Sequence, residues 1–242
     1  STFVVTASDG TNTSTRQYTI TVNNAFVQLS GSGTFTVPAG INSAEILIVG
    51  GGASGARAPN VSGGGGGAGG IVHRASYTFT ATDKSSGIAY SVGSGGTGVG
   101  LAADGEQYQG GYNNGGDTTF ALSTGTITAK GGGGGSGFSP SSGTKPGFPS
   151  DAYFAPSQGG SGGGGGWEYG TGASSNQGTF SGWTSYGNSG GNRYPSGETY
   201  ATGGGGGAGG NGANSADGQT AGAGGVGQLF LSLIHISEPT RL

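Results

Sequence analysis

The stretch from Ile46 to Gly55 has the residue types and spacing of a dinucleotide-binding loop, since an apolar strand leads directly into Gly-x-Gly-x-x-Gly. In such a loop the glycines open a helix whose N-terminus holds the pyrophosphate. Here Pro59 and the five glycines of 63–67 follow, and they cannot continue that helix. The acidic residue that would bind the ribose is also missing, because the next one is Asp83. The sequence therefore predicts no cofactor.

The titratable side chains do not form the pattern of a hydrolytic site. His73 is the only histidine outside the C-terminal segment 231–242, and it lies in a predicted strand, where a surface or edge position is expected. Asp104 and Glu106 are two residues apart in a glycine-rich turn, whereas paired catalytic carboxylates must face each other across a substrate. The chain has no cysteine, which excludes thiol nucleophiles, disulfides and zinc ribbons. We therefore predict that the protein is not an enzyme.

One segment approximates a calcium site. The stretch from Gly209 to Asn214 is similar to the β-roll repeat Gly-Gly-x-Gly-x-Asp, with asparagine in place of the aspartate. It occurs once, whereas such rolls need several turns in tandem. We therefore predict no metal site here.

Aromatic residues are concentrated between positions 148 and 200, which contain ten of the 22 in the chain, including both tryptophans. Tyr and Trp among Ser, Gly and Asn is the composition of binding loops, because rigid rings give contact area at little entropic cost. The same residues could instead cap a scaffold that is poor in aliphatic side chains. Both roles stay open at this stage. The candidate receptor-binding residues are Trp167, Tyr169, Trp183, Tyr186, Arg193 and Tyr194.

The overall composition excludes several protein classes. Glycine makes up 63 of 242 residues, and 8 basic against 11 acidic residues give a net charge of −3. The absence of basic runs argues against nucleic-acid binding, and no apolar stretch is long enough to insert into a membrane. The chain has neither an initiator Met nor a signal peptide, so we interpret it as an internal fragment of a longer protein.

Short alternating or apolar stretches bounded by glycine predict an all-β fold of the sandwich type. Residues 1–24 predict a hairpin, and a second domain is expected over 26–230. Within 26–230, the predicted strands are 26–29, 34–37, 44–49, 71–82, 88–92, 118–122 and 126–129. No amphipathic helix is expected.

Four runs of five glycines start at positions 63, 131, 162 and 203, and two of them extend identically as GGGGGAGG. A flexible linker has no need to repeat such a block. Polyglycine can form a left-handed helix of three residues per turn, and several such helices can satisfy one another's backbone hydrogen bonds. Packing of this kind must overcome the large ordering entropy of glycine. We expect a polyglycine II bundle; mobile loops on a sandwich are the alternative.

The ordered succession SGSGTFTVPAGINSAEILIVGGGASG, a glycine run, a strand and then GGDTTFALSTGTITAKGGGGGSG resembles the glycine-rich domain of phage virion and tail-fibre proteins. More distantly, the chain is similar to the tail-tip adhesins of T-even-type phages. In those adhesins polyglycine helices form a rigid sandwich, and the loops between them contact the host receptor. Residues 1–24 resemble the last strands of an Ig-like or cadherin-like repeat, and 231–242 resemble a translated sequencing adapter, which we exclude from the fold.

This resemblance implies a structural and recognition module of a phage virion, located in the tail, with loops 138–160 and 167–201 presented to a host-surface glycan or protein. It also implies a homo-oligomer, for which a trimer is one option. An extracellular or cell-surface bacterial adhesin, or a self-assembling fibre, is the alternative, and neighbouring genes would discriminate the two. An ice-binding protein is a third hypothesis, although the sequence lacks regular Thr or Ala arrays.

Overall fold

The computed structural model of the chain describes residues 2–8, 10–19, 26–56, 63–98, 112–137, 155–166, 170–195 and 201–230. The chain divides into two compact units, one of Ser1–Leu29 with Phe230–Leu242, and one of Ser30–Leu229. In the first unit, β1 (Thr2–Ser8) pairs antiparallel with β2 (Thr13–Thr19), as the alternating pattern predicts. Segment 231–242 lies outside the described residues.

The second unit contains a small β-sandwich, which confirms the all-β prediction. The strands are β3 (Ser32–Phe35), β4 (Ser43–Val49), β5 (Ile71–Thr78), β6 (Ile88–Ser91), β7 (Thr118–Leu122), β8 (Gly125–Ala129) and β9 (Thr184–Tyr186). One sheet has the order β3-β6-β7-β8 and the other β4-β5-β9. All pairings in both sheets are antiparallel, and β4 and β5 contact β7 and β8 across the interior.

Apolar side chains of alternate strand residues fill the space between these two sheets. In β7 the buried residues Phe120 and Leu122 alternate with half-buried neighbours, which is the two-residue period of a sheet with one face in a core. The largest buried apolar side chains are Val37, Ile48, Val72, Tyr77, Phe79, Ile88, Phe120, Leu122 and Ile127.

Four details of the predicted strand pattern are wrong. Residues 26–30 form no strand, and the third strand occupies Ser32–Phe35 rather than 34–37 because Gly31, at φ +65°, places the turn before it. The predicted strand 71–82 ends at Thr78, and α1 (Ala81–Ser86) begins three residues later. The short strand β9 was not predicted, and it lies inside the segment interpreted as a binding loop.

Helix α1 is defined by its cap and not by an apolar stripe. Thr80 is the N-cap, and its hydroxyl accepts the N–H of Asp83, while the Asp83 carboxylate accepts the N–H of Thr80. This reciprocal capping box satisfies two of the donors that a helix N-terminus leaves unpaired. The carboxylate also accepts the Ser123 N–H at 2.8 Å and the Tyr77 hydroxyl at 3.0 Å, which ties the helix to the β7–β8 turn.

The glycine runs pack as polyglycine II helices. Gly64, Gly67 and Gly70 donate their N–H groups to the carbonyls of Ser136, Gly133 and Lys130. Gly65 and Ala68 donate in turn to two other carbonyls, those of Gly203 and Gly206. Donors to one neighbour therefore recur every third residue, which is the period of a threefold helix and not of a strand.

Close packing explains why these segments consist of glycine. All residues of 131–137, 159–166 and 201–208 are buried. A Cβ built on Gly163 would lie 1.9 Å from the carbonyl oxygen of Gly134, and one on Gly164 would lie 2.1 Å from that of Gly203. Since these backbones touch, any side chain would force the helices apart. The expected polyglycine II bundle is therefore the structure of this region, and the alternative of mobile loops does not apply to the described runs.

Candidate recognition groove

Asparagine side chains extend the hydrogen bonding of the bundle where glycine segments end. The Oδ1 atoms of Asn211 and Asn214 accept the N–H groups of Ser189 and Asn192, so two asparagines three residues apart bond two donors three residues apart. The stretch from Gly209 to Asn214, which is similar to a calcium-binding repeat, therefore belongs to the hydrogen-bond lattice of the polyglycine bundle. In the described part of the chain, no group of three or more acidic or histidine side chains could hold a metal ion.

The described candidate residues fall into two groups. Trp183 and Tyr186 lie at β9, where Tyr186 pairs with Ile71 of β5. Arg193 and Tyr194 lie at the far end of the glycine segment that follows β9, and both are half-buried. Arg193 follows Tyr186 by seven positions, which in a polyglycine II segment corresponds to about 20 Å, so the groups do not form one compact patch. Trp167 and Tyr169 lie outside the described residues.

Trp183 packs against its own chain. Its ring centroid is 5.9 Å from that of Tyr77, and the Arg74 guanidinium lies over both rings, 5.7 Å from the Trp183 ring and 5.3 Å from the Tyr77 ring. Gly182 makes the turn before Trp183 at φ +76°, and a Cβ there would approach Arg74 to 3.2 Å. This stacking matches the structural role that the sequence left open for the aromatic residues. Burial raises the pKa of the Tyr77 hydroxyl.

An open groove of about 450 Å³ lies near the second group. It is lined by Ala155, Pro156 and Gln158 on one side and by residues 170–174 on the other. Trp167 and Tyr169 directly precede Gly170 in the sequence. The groove was not predicted, because its two sides are brought together only by backbone packing.

Backbone and amide hydrogen bonds fix the floor of the groove. Gly170 accepts the N–H of Arg193 at 2.7 Å, and Gly172 donates its N–H to Asn192 Oδ1 at 2.9 Å. Ala173 donates to the carbonyl of Gly163, inside the bundle. A Cβ on Gly170 would lie 3.5 Å from Arg193 Cγ and Nε, so the arginine side chain runs directly over this end of the groove.

The groove offers neutral hydrogen-bonding groups. Its lining includes the hydroxyls of Thr171 and Ser174 and the amide of Gln158, whose Nε2 donates to Ser174 Oγ at 2.7 Å. Among the described residues that line the groove none is charged, and Arg193 supplies a cation at the rim. This chemistry suits a ligand rich in hydroxyl groups more than a strongly charged one.

His73 and Asp117 each have a structural partner. His73 lies on β5, the central strand of its sheet, and so is not an edge residue; its Nε2 is 2.8 Å from Glu45 Oε1. Burial opposes ionisation of Asp117, but hydrogen bonds from Lys130 and the Gly131 N–H outweigh it and lower the pKa of this carboxyl. Asp104 and Glu106 lie outside the described residues.

Among the described helices, none is long and apolar enough to cross a bilayer.

A family model described as a glycine-rich domain matches residues 28–234 of the chain. No match was found among curated proteins or among solved structures.

Proposed function

This chain belongs to the glycine-rich domain family, and we propose that it is a non-enzymatic recognition module that holds binding loops rigidly on a polyglycine bundle. The observation that supports this function is the hydrogen-bond lattice that runs from the interior of the bundle to the groove. Gly163 lies in the buried run 162–166, and it accepts the N–H of Ala173 in the groove wall. The wall is thus continuous with the scaffold.

A rigid wall favours binding for a thermodynamic reason. Ordering of loops and side chains on association opposes affinity, so a surface that is ordered beforehand loses less free energy on binding. The wall formed by residues 170–174 is held by backbone hydrogen bonds of Gly170 and Ala173 and by the bond from the Gly172 N–H to the Asn192 side chain.

We propose a glycan on a host cell surface as the ligand class, with the groove, Arg193, Tyr194, Trp167 and Tyr169 as the contact region. Sugar rings present hydroxyls to neutral polar groups and apolar faces to aromatic rings. The sequence resemblance supports a phage virion, at a tail fibre or adhesin, as the setting, with residues 1–24 as the end of an Ig-like repeat. Trp183 and Tyr186 support the scaffold in this proposal, since Trp183 stacks on Arg74 and Tyr77.

The ligand proposal is tested by binding of the full chain to a glycan array and to whole bacterial cells. We expect Arg193→Ala to weaken binding at least tenfold. Arg16→Ala, an equal charge change on the exposed hairpin strand β2, is the matched control and should leave binding unchanged. Absence of binding to every glycan and cell type, or equal losses in the two variants, would overturn the recognition role.

Amide hydrogen exchange tests the scaffold separately. The N–H groups of Gly133 and Gly206 donate to carbonyls inside the bundle, so we expect them to exchange as slowly as those of the sandwich strands. Fast exchange throughout 131–135 and 203–207, beside protected strands, would contradict a rigid bundle even if binding were observed.

A further inference from the structure

Some exposed glycines of the bundle have no reason to be glycine within this chain. A Cβ on an interior run glycine would meet backbone at about 2 Å, whereas a Cβ on Gly52 or Gly98 would meet nothing within 4 Å. Neither residue has a φ in the left-handed region that favours glycine. Glycine is less favourable than alanine inside a regular element. On the rim of the bundle, however, a bare position of this kind leaves room for the backbone of another chain to approach closely.

Four of these glycines form a first edge of the bundle, which we define as Gly52, Gly55, Gly95 and Gly98. Each pair is spaced by three residues and therefore lies on one face of its threefold helix. The two helices are neighbours, since Gly96 donates its N–H to the carbonyl of Gly52 at 2.8 Å. All four residues are exposed, and the N–H groups of Gly55, Gly95 and Gly98 have no hydrogen-bond partner in the described part of the chain.

The segment 221–229 forms a second edge. Gly222 and Gly225 donate inward to the carbonyls of Thr202 and Gly205. Gly224 and Gly227 are exposed, and their N–H groups bond no described residue. Two large apolar side chains lie beside Gly224 and Gly227: Val226 is 67% exposed and Leu229 is 73% exposed.

Neither edge has the features that keep proteins from pairing at exposed edges. An edge strand with free N–H and C=O groups is a template for another chain, and soluble proteins protect it with charged residues, proline or bulges. Residues 50–56, 93–98 and 221–229 contain no charged residue and no proline. The free N–H groups and bare glycine faces of both edges are the same groups that hold the helices together inside the bundle.

We propose that the second edge of one copy of this chain docks on the first edge of another, so that the polyglycine lattice continues between molecules. The two edges can pack together because each carries a bare glycine row that allows the close backbone approach found inside the bundle. Val226 and Leu229 lie on the neighbouring face of the second edge, where they would rest against the glycine surface of the first. A contact between two different surfaces is heterologous, and it builds rings or filaments rather than closed pairs. This association does not depend on the receptor-binding role.

The test is sedimentation velocity of the full chain over a range of concentrations, with a glutamate placed on each edge in turn. Gly95→Glu blocks the first edge and Gly227→Glu the second. A Cβ on Gly95 would meet only the Gly52 carbonyl oxygen, at an ordinary contact distance of 3.8 Å, and one on Gly227 would meet nothing within 4 Å, so the fold should persist. Gly178→Glu is the matched control, because Gly178 is exposed, has equally open space around it and belongs to neither edge. Circular dichroism verifies that each variant is folded.

We expect wild-type protein and Gly178→Glu to form oligomers as concentration rises, and each edge variant to raise the apparent Kd for self-association at least tenfold. A mixture of Gly95→Glu and Gly227→Glu should give dimers and nothing larger, because each retains the edge that the other lacks. A wild-type protein that stays monomeric would overturn the proposal. Equal weakening by Gly178→Glu, or no dimer in the mixture, would also overturn it.

Discussion

The sandwich and the polyglycine bundle belong to one unit but are stabilised in opposite ways. In the sandwich, side chains such as Ile88 and Val72, both fully buried, remove apolar surface from water. In the bundle, the buried segment 131–137 carries one side chain beyond hydrogen, that of Ser136, and the backbone of this segment packs directly against the backbones of other glycine segments. The sandwich is stabilised by buried apolar side chains, whereas the bundle requires the absence of side chains so that its backbones can touch.

This contrast predicts that the sandwich loses moderate stability when one carbon atom is removed from its core, and that the bundle loses much more when one carbon atom is added. A core of side chains relaxes partly around a lost methyl group, so the loss has a moderate effect. The polyglycine helices approach one another so closely that an added methyl group has no rotamer to adopt and meets a carbonyl directly. The following predictions test the contrast, beginning with the largest effect.

Gly205→Ala adds one carbon at the centre of the bundle. Its Cβ would lie 1.9 Å from the carbonyl oxygen of Gly66, on a helix that other hydrogen bonds hold in place. We expect the free energy of unfolding to fall by upwards of about 3 kcal/mol, at the high end for overpacking. Urea unfolding followed by circular dichroism measures this, and a loss below about 1 kcal/mol would show that the bundle can spread.

Asp83→Asn removes the charge that organises the capping box. Burial would raise the pKa of Asp83, but hydrogen bonds from Ser123, Thr80 and Tyr77 lower it to about 2. Because this folded-state pKa lies below the unfolded value, the carboxylate stabilises the fold above about pH 4, and this contribution is lost as pH falls towards 2. We expect a loss of about 2 kcal/mol at pH 7.

The pH dependence distinguishes lost charge from lost packing in that variant. Wild type and Asp83→Asn should converge in stability as pH falls from 4 to 2, when the wild-type carboxyl becomes protonated. A difference that stays constant down to pH 2.5 would contradict the electrostatic explanation. Thermal unfolding at pH 7, 4 and 2.5 makes the comparison.

Ile88→Val removes one carbon from the sandwich core, as the counterpart of Gly205→Ala. Ile88 is fully buried on β6, and we expect a loss of about 1 kcal/mol, which is typical for this substitution. The same urea titration applies. A loss larger than that of Gly205→Ala would reverse the proposed contrast.

Gly178→Ala adds the same carbon as Gly205→Ala at a site with open space. Nothing lies within 4 Å of the position that its Cβ would occupy, and its φ is outside the left-handed region. We expect stabilisation by about 0.5 kcal/mol, because alanine reduces the entropy of the unfolded chain. A destabilisation approaching that of Gly205→Ala would mean that glycine is needed for flexibility and not for close approach.

Much of this fold could be predicted because its local patterns are strong. The apolar stretch 44–49 and the alternation in 118–122 correspond to β4 and β7. The three-residue lattice followed from repeated glycine runs and the need to satisfy their backbone groups. Helix α1 was missed because it has no apolar face, although Thr80-x-x-Asp83 is a capping-box signature that could have identified it.

The candidate site was harder to predict because it depends on contacts between distant residues. Trp183 stacks on Tyr77, and nothing in the local sequence of either residue indicates that pairing. Strand β9 is three residues long and acquires its structure from its pairing with β5. The groove is formed by two backbone segments, and the sequence does not indicate which glycine helices pack side by side.

The threefold period of the hydrogen-bond lattice constrains how this protein can change in length. Insertion of a single residue into 63–70 would rotate every later donor by a third of a turn and direct it to the wrong neighbour. An insertion of three residues would lengthen the helix by one turn, about 9 Å, and leave each face pointing as before. Homologous sequences should therefore differ within their glycine runs by multiples of three, while the connections between runs vary freely.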